Sequence, residues 1–328
     1  MFTADRLEVR ILVENWVDML LPDLQIGDTG QHCVTRAGLI EHFDPKMIPP
    51  QAENGISLLV RASRGRRTFT TLFDVGLTGS VLAHNLRVLG EDVTTIDHVV
   101  ISHGHPDHYG GIDRFLGEIG RAVPVATHPD AFLPRYAVMA DGGASAFYNA
   151  AFNQDSLSES GARFVLSREP LELGWGVRTT GEIPRTVEYE GPRAPAQSGG
   201  PGLYQVSADG QFRLDEVHDE QALVIDVAGE GLVVLTGCAH AGVINTIHRA
   251  RKVSGEKPIR AVIGGFHLGF PTTPAENVAK TVEAMRDLEV QTIVPMHCSG
   301  LHAHSSFSST LPDKYVQPAV GSSLWFGR

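Results

Sequence analysis

His103-Gly104-His105-Pro106-Asp107-His108 sets three imidazoles and a carboxylate within six residues, directly after the apolar run Val99-Val100-Ile101. Side chains alternate along a strand, so His103 and His105 leave that run on the same side. Asp107 and His108 follow at the turn, ahead of a short helix expected over residues 109–116. Neutral imidazole suits zinc, iron or nickel, and a carboxylate adds a harder oxygen donor that also suits manganese. Four ligand-capable side chains exceed what one small ion takes from a single loop. The spacing therefore predicts two adjacent ions, with His103 and His105 on one and Asp107 and His108 on the other. The plainer alternative is a polar loop whose histidines meet only solvent.

Working outward, His-x-His-x-Asp-His after a strand resembles the signature of the metallo-β-lactamase superfamily. Phe73-Asp74-Val75-Gly76 resembles the strand-end Asp-x-Gly that the superfamily carries upstream. Thr236-Gly237-Cys238-Ala239-His240-Ala241-Gly242 and Val294-Pro295-Met296-His297-Cys298 resemble its two later ligand loops. Thr180-Gly181-Glu182-Ile183-Pro184-Arg185 and Gly264-Gly265-Phe266-His267-Leu268 look like one branch, often named after a dihydropterin-ribofuranosylaminobenzene-phosphate synthase. The resemblance implies an α/β chain folded as a four-layer αββα sandwich, with a mono- or dinuclear metal site at one edge. It also implies a division of ligands: His103, His105 and His240 on the first metal, Asp107, His108 and His297 on the second. The residues alone argue only that these loops converge, because each follows an expected strand and neighbouring strand ends lie side by side.

One departure stands out. Many members of the superfamily share an Asp between both ions, supplied between the last two histidine loops. Here that strand end offers Gly264-Gly265-Phe266-His267 and no carboxylate. An imidazole nitrogen has one lone pair and does not bridge as a carboxylate does. His267 is thus expected to face the site, as a metal ligand or as a contact to the nucleophile or substrate; the alternative is a histidine turned into the core. Cys238 and Cys298 each flank a ligand histidine and can bind a soft ion, although small buried cysteines are the commoner case.

The chain has 328 residues, 42% hydrophobic and 20% charged, an ordinary globular composition. It reads as a single domain over 1–328 with an insertion or cap over 129–202 near the active site. Twenty-seven basic against 38 acidic residues give a net charge of −11, which disfavours polyanionic partners. Arg64-Gly65-Arg66-Arg67 reads as a hairpin turn. Cys33, Cys238 and Cys298 form no even framework and no Cys-x-x-Cys pair, which fits a reducing compartment. Charges at Asp5, Arg6, Glu8, Arg10 and Glu14 leave no signal-peptide core. No apolar run approaches the roughly 18 residues of a membrane span. The expectation is a soluble, cytoplasmic protein acting on a small molecule, without nucleic-acid or membrane partners; homo-oligomerisation stays open.

Elsewhere, Leu7, Val9, Ile11 and Val13 alternate with charges and predict a strand. Residues 21–54 read as a loop forming a flap near the site. Strands over 56–61 and 68–73 deliver Asp74, and a helix is expected over 78–89. His84, His98 and His128 read as surface or packing histidines, His128 opening a short helix. Residues 137–152 suit a small-residue helix, and 191–202 are Pro-Gly-Ser-rich. Substrate selectivity is expected from Phe132, Tyr136, Phe147, Tyr148 and Trp175, the alternative being a packed appendage. Strands follow over 222–227, 231–235, 259–263 and 290–294. Thr273-Pro274-Ala275-Glu276 looks like a capping box with Pro in the first helical position.

Two ions about 3.5–4 Å apart can share a hydroxide and polarise a substrate oxygen. The sequence therefore points to a metal-dependent hydrolase using a metal-bound hydroxide on an ester, lactone, amide, thioester or phosphoester. Zinc comes first among the metals, with manganese or iron as alternatives. Asp107 is placed as ligand and proton acceptor, and Asp74 as the group that orients a ligand histidine or a loop amide. The rival classes are a metal-dependent synthase or transferase of the dihydropterin type, and a non-catalytic metal or ligand-binding module. The charge balance also yields a first test. Fluorescence anisotropy should find affinity for single- or double-stranded nucleic acid weaker than about micromolar at physiological salt; submicromolar binding contradicts the reading.

Overall fold

Burial along the strand Arg6–Val13 reports a layered environment. Leu7, Val9 and Ile11 join one apolar cluster, and Leu12 and Val13 join another. Both faces of the strand are covered, so its neighbours must form layers on either side. The computed structural model describes residues 3–26, 32–36, 48–146, 152–190 and 201–327. Among these, nine strands form one sheet in the order Ala162–Leu166, Val123–Thr127, His98–Val100, Arg67–Phe73, Ser57–Arg64, Arg6–Val13, Ser323–Gly327, His32–Thr35, Leu24–Ile26. Six form a second sheet in the order Glu172–Gly174, Val177–Thr179, Leu223–Val227, Gly231–Thr236, Ile259–Gly265, Thr292–Met296.

The apolar faces of the two sheets meet through residues such as Val9, Phe73, Ile225, Val233 and Ile263. Ser80–Val88 and Ile112–Ile119 cover the outer face of the first sheet through Leu82, Leu86, Phe115 and Leu116. Val243–Ser254, Ala275–Asp287 and Gly300–Thr310 cover the second through Ile247, Val282 and Phe307. These helices have 8 to 13 residues, about the length at which isolated helices are marginal in water, so burial of one face stabilises them more than propensity does. The result is the expected αββα sandwich.

In both sheets the strands that lead into the site run parallel. Arg67–Phe73, His98–Val100 and Val123–Thr127 pair in parallel in the first sheet, and Gly231–Thr236, Ile259–Gly265 and Thr292–Met296 in the second. Parallel neighbours need a crossover, here supplied by helices. Their carboxyl ends consequently line up at one rim and deliver Asp74, the His103–His108 loop, His240, His267 and His297 together.

Several local expectations need correction. Residues 137–152 do not form a helix where described: Arg135–Val138 and Ala144–Ala146 pair as a hairpin, within a small sheet completed by Gly202–Val206 and Phe212–Leu214. Ala137 lies in the first of these strands, and Ala140, Gly142 and Gly143 lie in the connection between them. Residues 154–179 of the expected cap supply a short helix and strands of the two main sheets. The stretch read as a loop over 21–54 contains the strand His32–Thr35 and the edge strand Leu24–Ile26, its remaining flap lying largely outside the described residues, as does nearly all of 191–202. The expected helix over 109–116 is two, Pro106–Tyr109 and Ile112–Ile119. Pro274 is the cap residue of Ala275–Asp287 rather than its first helical residue, and no side chain caps that helix.

The tightness of the rim can be tested at two glycines. Gly264 has φ +131°, and a Cβ there would meet Thr236 O at 2.0 Å. Gly65, φ +57°, has open space around it. Urea denaturation should show Gly65→Ala costing about 1–2 kcal/mol from backbone strain alone, and Gly264→Ala costing more because the backbone must also shift. Equal costs contradict the packing described.

Candidate metal centre

The first ligand loop is shaped by Asp74. This fully buried residue sits at φ +57° where its strand ends. Its Oδ1 accepts the Ser102 N–H at 2.7 Å, and its Oδ2 accepts the Ser102 hydroxyl at 2.8 Å and lies 2.7 Å from His108 Nδ1. Ser102 Oγ lies 2.9 Å from His103 Nδ1. One carboxylate thus fixes the loop backbone and, directly or through Ser102, two imidazoles. This is the role expected for Asp74, and it turns the opposite nitrogens of His103 and His108 into the site.

A second carboxylate system holds His105. Its Nε2 lies 3.2 Å from Asp215 Oδ2, which also accepts from Arg135 Nε at 2.7 Å. The same guanidinium donates to Asp219 Oδ1 at 2.7 Å, and Asp219 Oδ2 accepts the Gly104 N–H at 2.7 Å. Arg135 and both aspartates are buried. Burial opposes charge on Asp215, but His105 and Arg135 outweigh it and hold the carboxyl below the usual range.

The later loops repeat the device. Glu220 accepts the N–H groups of His240 and Ala241 at 2.8 and 2.7 Å. Glu14 accepts the His297 N–H at 2.9 Å, while Asn15 donates to the His297 carbonyl at 3.0 Å. Glu190 accepts from Ile244 and Asn245, each at 2.8 Å, at the start of the helix behind His240. Ala239, His267 and His297 all take left-handed backbone conformations, φ +58°, +52° and +47°. Such sharp strand exits aim the side chains inward and cost about 1–2 kcal/mol each.

The candidate ligands come together in groups whose donor atoms all lie within 4.8 Å of one another. His103, His105 and His240 form one; Asp107, His108, Cys238 and His297 form another. These contain the two triads expected from the sequence, with Cys238 added to the second. His267 groups with Cys238 and His240, its ring 4.1 Å from that of His240 and 4.4 Å from Phe270. It therefore stands on the His240 side, outside the group containing Asp107, His108 and His297.

The donor chemistry fits cations. His103 Nε2, His240 Nε2 and His267 Nδ1 are buried without a hydrogen-bond partner, an arrangement costing about 1–3 kcal/mol per group unless something supplies the contact. Burial, reinforced by neighbouring imidazoles, pushes His103 and His240 well below their ordinary pKa, so both stay neutral and able to ligate. Burial opposes charge on Asp107 and His297 alike, but for Asp107 the neighbouring His108 and then the 3.1 Å contact to His297 outweigh it, and for His297 that same contact does. Asp107 is held below the carboxylate range and His297 lifted to about 9. Two cations would replace that protonated partner.

The clusters form the floor of a cleft of about 980 Å³, walled by Tyr189, Leu203, Val217, Leu268 and Phe270. The aromatic residues expected to select substrate lie elsewhere. Phe132 packs on Phe152 and Phe164, Tyr136 on Phe212, and Trp175 against the inter-sheet core. Phe147 and Tyr148 fall outside the described residues. Their aromatic character signalled packing, while the wall comes from loops with no sequence period. His84, His98 and His128 keep clear of the clusters, bonded to Pro49 O, packed on Phe69, and paired with Glu182 respectively. Sequence reasoning missed Glu14, Arg135, Asp215, Asp219 and Glu220. The only signal was an acidic run, Asp215-Glu216-Val217-His218-Asp219-Glu220, which by itself reads as solvated loop.

The buried glutamates make a pH test. Burial raises Glu220, and likewise Glu14 and Glu190, from 4.5 to about 7. Between those values the folded chain holds protons the unfolded chain has lost, so these groups make stability fall as pH rises. In metal-free protein, Tm measured from pH 4.5 to 7 should decline less steeply for Glu220→Gln than for wild type. An unchanged slope contradicts the assignment.

A family model described as the metallo-beta-lactamase superfamily matches residues 55–297. The chain is 30% identical over 288 residues to the 7,8-dihydropterin-6-methyl-4-(beta-D-ribofuranosyl)-aminobenzene-5'-phosphate synthase of Methanocaldococcus jannaschii, covering 88% of this chain and 95% of that protein. Among solved structures it resembles Tm1679, a metal-dependent hydrolase of the beta-lactamase superfamily, at 25% identity and TM-score 0.67, covering 97% and 98% of the two chains. YhfI from Bacillus subtilis, a metallo-beta-lactamase fold protein, shares the fold at 11% identity and TM-score 0.52, covering 98% and 100%. The ligand loops, the four-layer sandwich and these likenesses agree: the chain belongs to the metallo-β-lactamase superfamily.

Proposed function

We propose that this chain is a metal-dependent hydrolase of small molecules, acting on an ester, lactone, amide or phosphoester. The observation that carries the reading is the pair of donor clusters on the floor of an open cleft. His103, His105 and His240 would hold one divalent cation, and Asp107, His108 and His297 a second; zinc is favoured by the imidazole count. Bound there, such ions act as Lewis acids and lower the pKa of water from 15.7 toward about 7.

The remaining work falls to the chain's own groups. Asp107 stays ionised at neutral pH and lines the cleft, so it can accept a proton from attacking water and pass it to the leaving group. His267 presents an unpartnered Nδ1 beside His240 and can hydrogen-bond a substrate oxygen. Asp74, Asp215 and Glu220 hold the ligand loops in place through His108, His105 and the His240 amide. Leu203, Val217 and Phe270 line the apolar wall that would receive the body of the substrate.

A second reading rests on the archaeal synthase, 30% identical over most of both chains. It makes the protein a synthase or transferase joining a dihydropterin to a ribofuranosylaminobenzene phosphate. The same cations would then activate a phosphorylated substrate. Product analysis separates the two: incubation with the pterin and aminobenzene partners together yields a joined product only under the second reading. With respect to membranes, among the described residues no helix is long and apolar enough to cross one.

Chelation followed by elemental analysis should remove transition metal and hydrolytic turnover together, on a panel of chromogenic esters, lactones, β-lactams and phosphodiesters. Full turnover in metal-free protein contradicts the proposal. His240→Ala and His297→Ala should each lower metal content, and normal stoichiometry would remove that residue from the set. Asp107→Asn should lower turnover by about 10²–10⁴-fold, and His267→Ala should slow turnover while the cation on His103 and His105 is retained.

A further inference from the structure

We propose that Cys238 is a metal ligand shared by both cations, a thiolate standing where related sites use a bridging carboxylate. The inference rests on the dinuclear reading above and specifies the donor that joins its halves.

Cys238 belongs to two of the donor groups. Its Sγ lies within 4.8 Å of the donor atoms of Asp107, His108 and His297, and within the same distance of those of His240 and His267. Among the described residues, Cys238 alone is grouped both with Asp107, His108 and His297 and with His240, one of the three first-cation ligands, although it shares no group with His103 and His105. The strand end after Ile259–Gly265, which lacks a carboxylate, leaves the shared position to be filled from elsewhere. Imidazole cannot fill it, having one lone pair per ligating nitrogen. A thiolate sulfur is a metal donor with more than one lone pair available.

The backbone aims Cys238 there. Gly237 is pressed against Ser102, where a Cβ would fall 2.2 Å from the hydroxyl. Ala239 turns through φ +58°. Between them Cys238 is 3% exposed, with Sγ 3.1 Å from His108 Nε2. A cysteine used only for packing would be expected among apolar atoms. Here its neighbour is the His108 ring, which packs 4.1 Å from that of His103; His103 is wholly buried with Nε2 unpartnered, its ring 4.9 Å from that of His240. Cys298 stands beside it, its Sγ donating to the Cys238 carbonyl at 3.4 Å and its thiol also contacting Cys238 and His267, but it joins none of the donor groups. A shared thiolate shifts the metal preference toward zinc, cobalt or iron and away from manganese and magnesium, because soft sulfur suits the former set.

The test is cobalt(II) titration of the metal-free full-length chain, followed by near-ultraviolet absorption and elemental analysis. Wild type should bind two cobalt ions and develop a sulfur-to-cobalt charge-transfer band. A double variant, Cys33→Ser with Cys298→Ser, leaves Cys238 as the sole cysteine and should keep the band. Cys238→Ser should lose it and bind the second cobalt at least about 10-fold more weakly. Two bound ions in wild type without the band, or a band that survives Cys238→Ser, overturns this proposal while leaving the dinuclear reading intact. Failure of wild type to bind cobalt at all overturns the reading beneath it. If Cys238→Ser does not fold, the double variant decides: absence of the band there is a refutation, and its presence is support.

Discussion

Buried carboxylates gripping backbone amides are the interaction on which this site depends. Asp74 takes the Ser102 amide, Asp219 that of Gly104, Glu220 those of His240 and Ala241, and Glu14 that of His297. Each amide lies at a strand end where the chain turns too sharply for regular pairing. Left alone, the buried N–H groups would go unsatisfied and the left-handed turns would relax. Hydrogen bonds to carboxylates are worth about 1.5–3 kcal/mol each, enough to offset about 1–2 kcal/mol of strain at a left-handed residue. The costs are visible in Glu14 and Glu220, which burial lifts to about 7. Cations beside these loops would reverse that penalty, so metal binding and loop geometry support each other.

The arrangement explains how two sheets, far apart in the sequence, build one site. The His103–His108 loop belongs to the first sheet, and His240, His267 and His297 to the second. Glu14 follows a strand of the first sheet yet holds a loop of the second, and Asp219 and Glu220, just ahead of Leu223–Val227 in chain order, hold one loop from each. The carboxylates therefore bind the halves of the sandwich to each other at the rim. Arg135 extends the connection to the small third sheet through Asp215 and Asp219.

How much of this the sequence displayed depended on whether a residue's role was local. His103 to His108 could be read because strand period and ligand spacing occupy six consecutive residues. The layered fold was legible for the same reason, since each apolar run and each strand-end glycine is a local signal. Arg135 and Glu220 were not, because their partners are 80 and 20 residues away and no period marks them. Over the described residues 137–146 the expected helix is a hairpin: Ala137, Ala140, Ala144 and Ala146 suit a helix by propensity, but pairing with a distant strand decides the outcome. His267 was placed in the right loop, but which side of the site it served depended on a left-handed turn that only the folded backbone reveals.

The central claim is that these loops are preorganised by carboxylates to hold two cations. Crystals of the protein prepared with zinc, measured for anomalous scattering at the zinc edge, test it most directly. Two peaks are expected, one among His103, His105 and His240 and one among Asp107, His108 and His297, with the Asp74, Glu220 and Glu14 contacts to the loop amides intact. Peaks outside those groups, or loops released from the carboxylates when the metal is bound, would contradict it.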